Sequence, residues 1–161
     1  MFKEFLRTDN SPAQLFIRLA LGVVMFPHGA QKVLGWFGGP GIAMTLQAFA
    51  GMGFPAWSVV ALMGVESLGA VLLVFGFLTR LWALGIGAII TICMFINHVQ
   101  HGFFMNWFGQ QQGEGFEYHI LVIGMCLALL IKGGGALSVD RKLSSGSEHL
   151  YGGQPSRFLK G

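Results

Sequence analysis

The sequence is dominated by apolar blocks that are long enough to cross a lipid bilayer. Three of them approach the ~20 mostly apolar residues that a spanning helix needs, at residues 15–34, 57–77 and 81–99. A shorter fourth block is expected to form a helix over residues 117–137. Backbone groups in hydrocarbon must bond within their own segment, and these runs lack the alternation of barrel strands. The sequence therefore predicts an all-α polytopic membrane protein, built as an antiparallel bundle of four transmembrane helices.

The composition agrees with a membrane location. Hydrophobic residues make up 53% of the chain and charged residues 11%, whereas charged residues make up about 25% of an average soluble domain. This balance excludes a disordered chain, and the presence of only two cysteines excludes a disulfide scaffold. Ala83 and Gly87 lie one turn apart in the third block, which predicts close contact with a neighbouring helix. The apolar spacing in residues 41–52 predicts a short helix at the membrane surface.

Lysine and arginine predict which side of the membrane each end of the chain occupies. Most of them fall in the terminal segments and in the link between the second and third blocks, whereas Lys32 falls on the other side. The positive-inside rule therefore places both termini in the cytoplasm. The predicted organisation is a cytoplasmic N-terminal segment at 1–12, a four-helix membrane domain at 13–142 and a disordered cytoplasmic tail at 143–161. Basic residues near anionic lipid explain the net charge of +3 without a nucleic-acid partner.

Polar residues inside the blocks are the candidate functional residues, because ionisable groups are costly in a membrane. At ~1.5 Å per residue, His28 lies ~20 Å above the start of the first helix and Glu66 ~16 Å above the end of the second. The same count places further polar residues in the outer half of the bundle: Gln31, Lys32, Asn97, His98, His101, Glu117 and His119. We predict His28 and Glu66 as catalytic, proton-handling residues and the others as residues that bind a substrate such as a quinone.

Other chemistries stay open for the same set. His and Glu suit a quinone head group, since they form hydrogen bonds and exchange protons. They also suit a small transporter, and Glu66 could simply form a structural ion pair with Lys32 or Arg18. A metal ion is a further alternative, although the spacing matches no closed motif. Its ligands would come from His28, His98, His101, Glu117 or His119.

The two cysteines and the rest of the chain add little chemistry. Cys93 and Cys126 fall at similar depth, so a pair is geometrically allowed, but the interpretation as two small apolar core residues is favoured. The sequence has no G-x-G-x-x-G at a strand-to-helix turn and no P-loop, and therefore no recognisable nucleotide site.

Several short motifs, taken in order, resemble the DoxX family of bacterial integral membrane proteins. The first helix and its exit carry Arg18-Leu19-Ala20-Leu21-Gly22, His28-Gly29-x-Gln31-Lys32 and Gly35-x-Phe37-Gly38-Gly39. The second helix carries Glu66-Ser67-Leu68-Gly69-Ala70, followed by Gly76-x-x-Thr79-Arg80. The match continues to about residue 142 with His98, Gly102-Phe103-Phe104, Gly115-Phe116-Glu117-Tyr118 and Ser138-Val139-Asp140. His101 stands where the family often has Asn, and an Asn follows at Asn106.

This resemblance implies a four-helix protein of the bacterial inner (plasma) membrane, and it carries over no catalytic residue. Some relatives are associated with quinone-linked oxidation of sulfur compounds, and others with oxidoreductase or oxidative-stress complexes. The leading hypothesis is therefore a subunit of a quinone-linked membrane redox system, in contact with lipid, quinone and redox partner proteins. The alternatives are a non-enzymatic anchor or assembly partner of a soluble oxidoreductase, and a small-molecule transporter.

Overall fold

The computed structural model describes residues 2–145, and all regular structure within that range is helical. Of the tail predicted at 143–161, the part from residue 146 onward lies outside the described residues. The α-helices are α1 (Phe2–Leu6), α2 (Pro12–Leu34), α3 (Gly41–Gly51), α4 (Ala56–Gly64), α5 (Ala70–Phe75), α6 (Thr79–Cys93), α7 (Glu117–Lys132) and α8 (Val139–Ser145). The prediction of an all-α fold is thus confirmed for the described part of the chain.

Three helical stretches are long and apolar enough to cross a membrane: Pro12–Leu34, Ala56–Phe75 and Thr79–His101. They correspond to the first three predicted blocks. Two of them contain a π-helical segment, Val65–Gly69 between α4 and α5, and Met94–His98 after α6. A 3-10 turn at Val99–His101 then ends the third stretch. A π-helical turn holds one more residue than an α-turn and frequently marks a functional site, and both segments here contain predicted site residues.

The fourth apolar helix is shorter than predicted. α7 has 16 residues and ends at Lys132, short of the predicted residue 137. Gly133 and Gly135 follow with φ of 78° and 71°, a backbone conformation that favours glycine and ends a helix. A Cβ at Gly133 would lie only 3.0 Å from Cβ of Thr8, so close packing against the N-terminal segment also requires glycine there.

The cytoplasmic end predicted from the sequence is tied together by Arg18. Its side chain is 1% exposed, and it donates to the carbonyl oxygens of Gly134 at 3.0 Å, Ala136 at 2.8 Å and Val74. Arg18 is stable in this buried position because three backbone carbonyls accept its N–H groups.

Asp140 fixes the start of α6 at the same end of the bundle. Its carboxylate accepts from the backbone N–H groups of Leu78 at 2.7 Å and Thr79 at 2.8 Å. A negative charge on these free N–H groups stabilises a helix N-terminus. The Ser-Val-Asp motif near residue 140 therefore has a structural role.

The apolar core lies between α2, α5, α6 and α7. Leu21, Leu73, Ile86 and Leu129 contribute one buried side chain from each of these helices. A Cβ added at Gly87 would lie 3.2 Å from Cβ of Cys126, which confirms that the small residues of the third block allow close packing. Both cysteines are free thiols.

Candidate functional site

Lys32 and Glu66 form a buried ion pair between α2 and the first π-helical segment. Lys32 Nζ lies 2.7 Å from Glu66 Oε2, and the two side chains are 21% and 7% exposed. The ammonium also donates to the backbone carbonyl of His28 at 3.3 Å. Of the two partners considered for Glu66 from the sequence, the structure therefore selects Lys32 and leaves Arg18 at the other end of the bundle.

Gly29 allows this pair to form. A Cβ at Gly29 would lie 2.5 Å from the backbone carbon of Glu66 and 2.5 Å from the backbone nitrogen of Ser67. Any side chain at this position would push α2 away from the π-helical segment, because backbone atoms cannot move aside as a flexible side chain can. The close approach brings Lys32, one turn further along α2, within reach of Glu66.

A cavity of about 460 Å³ opens beside this ion pair, and we call it the histidine cavity. Five of the predicted site residues line it: His28, Lys32, Glu66, His98 and His119. These five residues come from the three long helical stretches and from α7. Glu66 is in ionic contact with Lys32, while the exposed His28 side chain lies in the same lining.

His98, His119 and Cys93 form a cluster within the histidine cavity. One potential ligand atom from each of the three lies within 4.8 Å of the others. The rings of His98 and His119 have centroids 4.2 Å apart. His98 Nδ1 lies 2.9 Å from the carbonyl oxygen of Glu114, and His119 is 5% exposed with Nδ1 lacking a hydrogen-bond partner.

The loop before α7 contributes to the lining of this cavity. Glu117 Oε1 accepts from the backbone N–H of Met105 at 2.9 Å, and Glu114 Oε2 accepts from that of Asn106 at 2.7 Å. The side-chain amide of Asn106 donates to the carbonyl of Gln111 and accepts from the N–H of the same residue. These contacts place Met105 and Glu114 in the lining of the cavity.

Four predicted residues lie outside the histidine cavity. Glu117 holds the loop by accepting from the N–H of Met105. Gln31 packs against Gly39, where an added Cβ would lie 2.4 Å from the Cα of Gln31. The ring of His101 packs against Gly113, where an added Cβ would lie 2.5 Å from the ring. Asn97 donates to Cys93 Sγ at 3.8 Å and lines a different cavity.

That second cavity, the apolar cavity, holds about 370 Å³ between α3, α4 and α6. Its walls are mostly apolar, and its polar members include Lys32, Glu66 and Asn97. Lys32, Glu66 and Cys93 also line the histidine cavity. The ion pair therefore forms part of a wall that the two cavities share.

Sequence reasoning missed Cys93, Met105, Glu114 and Tyr118 as residues of this site. Cys93 sits directly before a π-helical segment, and the other three depend on how the loop folds back. One signal was present for Cys93: it precedes Asn97 and His98 by about one turn, so it shares their side of the helix.

Comparison with known proteins identifies the family. The family model described as DoxX matches residues 13–99, which is more than half of the chain. The protein of Bacillus subtilis (strain 168) named Putative oxidoreductase CatD is 37% identical over 83 residues, covering 48% of this chain and 58% of that protein. The chain thus spans little more than half of that relative's length. No solved structure matches the chain. The chain belongs to the DoxX family of membrane proteins.

Proposed function

We propose that the chain is a membrane-embedded subunit of a quinone-linked redox system, with the quinone bound in the apolar cavity. The single observation that carries this proposal is the buried Lys32–Glu66 pair at the edge of a cavity whose other walls are mostly apolar. A quinone has the matching chemistry, because its tail is apolar and its ring carries two carbonyl oxygens that accept hydrogen bonds. Ligand sites commonly combine apolar walls with a few placed polar groups.

Lys32 and Glu66 have different roles at the quinone head group. The Lys32 ammonium donates to a quinone carbonyl oxygen, and its positive charge stabilises the negative charge that develops there on reduction. Glu66 exchanges protons with the same oxygen. Reduction of one quinone to quinol takes up two electrons and two protons. The electrons come from a partner oxidoreductase, and the protons reach the two oxygens through the protein.

His28 connects Glu66 with the exterior in this proposal. Its ring is exposed and lines the histidine cavity with Glu66, and an imidazole nitrogen can accept and pass on a proton. Protons therefore pass from solution to His28 and from His28 to Glu66. His98 and His119 line the same cavity, and Glu117 holds the loop before α7 through the backbone N–H of Met105.

The arrangement in the membrane is also part of the proposal. α7 forms the fourth span, since its 16 residues cover ~24 Å and the loop before it adds apolar side chains. Both termini then lie in the cytoplasm, as the positive-inside rule requires. The membrane is the bacterial inner membrane, and the site lies in its outer half.

Two observations beyond the cavity support this function. The relative from Bacillus subtilis bears the name of an oxidoreductase. The two π-helical segments coincide with Glu66 and with Asn97 and His98, and such segments are frequently found at functional sites.

Quinone binding to the purified chain tests the proposal without knowledge of the electron donor. Trp57 lines the apolar cavity, and a bound quinone quenches nearby indole fluorescence. We expect a short-tailed ubiquinone analogue to quench saturably, and Trp57→Phe to remove a large share of that quenching. Lys32→Gln should weaken binding about tenfold, which is the loss expected for one hydrogen bond from a charged group. Absence of saturable quenching would overturn the proposal.

Turnover in membranes separates the redox role from its alternatives. Glu66→Gln and His28→Ala should lower quinone reduction, whereas His101→Ala should leave it unchanged, because His101 lines neither cavity. If both variants retain full turnover but the chain still purifies with an oxidoreductase, the chain is an anchor instead. Uptake of a solute that depends on Glu66 would identify a transporter.

A further inference from the structure

We propose that Cys93, His98 and His119 form a binding site for a cuprous ion. One ligand atom from each residue lies within 4.8 Å of the others. Bonds of about 2.0–2.3 Å to nitrogen and sulfur ligands place such atoms about 3.5–4 Å apart. Small rotations of the three side chains therefore close the cluster onto one ion. The cluster joins a π-helical segment to the first turns of α7, so the ion would tie two helices together.

The hydrogen bond of His98 is that of a metal ligand. His98 Nδ1 lies 2.9 Å from the carbonyl oxygen of Glu114. A carbonyl only accepts, so Nδ1 carries the proton and Nε2 keeps its lone pair for an ion. Metal-binding histidines almost always donate their second N–H to a carbonyl or carboxylate in this way.

His119 provides an independent indication of a missing partner. The residue is 5% exposed, and its Nδ1 is buried without a hydrogen-bond partner. A buried polar atom left unpaired costs about 1–3 kcal/mol, and bonding to an ion removes that cost. The nearest ring is that of His98, with a centroid distance of 4.2 Å, and two imidazoles in contact gain more from a shared cation than from each other.

The sulfur ligand favours copper in its lower oxidation state. Thiolate and thioether ligands select Cu(I), and imidazole also suits copper. Cys93 Sγ accepts a hydrogen bond from the side-chain amide of Asn97 at 3.8 Å. The thioether of Met105 lines the histidine cavity together with Cys93. One thiolate and one Cu(I) ion together carry no net charge. A Zn²⁺ ion with the same ligands would leave one positive charge in apolar surroundings, which is costly.

Anaerobic titration of the purified full chain with Cu(I), in competition with a chromophoric chelator, tests this site. It does not depend on the quinone proposal, since the readout is binding of the metal alone. We expect one equivalent of Cu(I) per chain, with X-ray absorption showing sulfur and nitrogen around the ion. Cys93→Ser and His119→Gln should each weaken binding by at least about tenfold.

Two matched variants separate this site from unspecific binding. Cys126→Ser removes the other cysteine, and His101→Gln removes a nearby histidine that lies outside the cluster. Both should bind Cu(I) as the wild type does. Far-ultraviolet circular dichroism checks that each variant is folded, and His98→Asn serves if another ligand variant fails to fold. The proposal is overturned if the wild type binds less than one equivalent, if the ligand variants bind as tightly as the controls, or if Zn²⁺ displaces Cu(I).

Discussion

Lys32 and Glu66 come from two different membrane-spanning helices, yet their charged atoms lie 2.7 Å apart and both side chains line two cavities. The contact depends on Gly29, which lets α2 approach the backbone of Glu66, and on the π-helical segment that carries Glu66. The ion pair and the glycine can each be removed by a single substitution. The stability of the chain in detergent then reports on the site independently of any ligand.

Breaking the buried ion pair should destabilise the fold. Lys32→Met leaves the Glu66 carboxylate buried without its partner, and loss of one member of a buried pair costs about 3–5 kcal/mol. We expect the thermal unfolding temperature in detergent to fall. The Lys32→Met/Glu66→Gln double variant should recover part of the lost stability. The exposed Glu4–Arg7 pair is the control, at 3.6 Å and 73–77% exposure, and Glu4→Gln should have no measurable effect. If the effects of Lys32→Met and Glu66→Gln on stability add up in the double variant, the two side chains do not interact directly.

Gly29→Ala should disrupt the site, although it adds only one methyl group. The new methyl group would overlap backbone atoms of Glu66 and Ser67, so the two helices must separate. Overpacking of this kind costs about 1–3 kcal/mol, and quinone binding beside Lys32 and Glu66 should weaken. Gly124→Ala on α7 is the matched control, because nothing lies within 4 Å of its added Cβ. Equal stability of the two variants would show that α2 does not need this close approach.

Asp140→Ala should loosen the start of α6. The substitution leaves the N–H groups of Leu78 and Thr79 without their carboxylate acceptor, at a cost of about 1–2 kcal/mol. Asp140→Asn keeps one acceptor oxygen and should fall between the wild type and the alanine variant. Thermal unfolding ranks the three proteins, and an asparagine variant as stable as the wild type would mean that the charge contributes nothing.

Cysteine labelling tests the proposed fourth span. In a Cys93→Ser/Cys126→Ser background, Gln111→Cys places a thiol in the loop before α7 and Ser145→Cys places one at the end of α8. With four spans and cytoplasmic termini, an impermeant maleimide labels residue 111 in spheroplasts and residue 145 only after lysis. Labelling of both positions in intact spheroplasts would show that α7 does not cross.

The sequence was a good guide to depth along the helices and a poorer one to contacts around them. Residue spacing and a fixed rise per residue brought His28, Lys32 and Glu66 to one level, and all three line one cavity. The same count could not distinguish Glu66 facing Lys32 from Glu66 facing His28, because rotation about the helix axis depends on packing. The extra residue in each π-helical segment changes that rotation without any sign in hydropathy.

Residues near the ends of helices were hardest to assign from the sequence. Glu117 and His119 are close in the chain, but Glu117 holds the backbone of Met105 while His119 faces His98. His101 and Gln31 appeared equivalent to the other polar residues, yet each packs against a glycine outside the cavities. Such roles depend on long-range chain folding, which the periodicity of apolar residues does not encode.

The wall that the two cavities share has a thermodynamic consequence. A molecule in the apolar cavity that draws the Lys32 ammonium toward itself weakens the hold of that ammonium on Glu66, and the charge facing the histidine cavity changes with it. Occupancy on one side is therefore linked to affinity on the other. The linkage is reciprocal, so each occupant must change the binding constant of the other by the same factor.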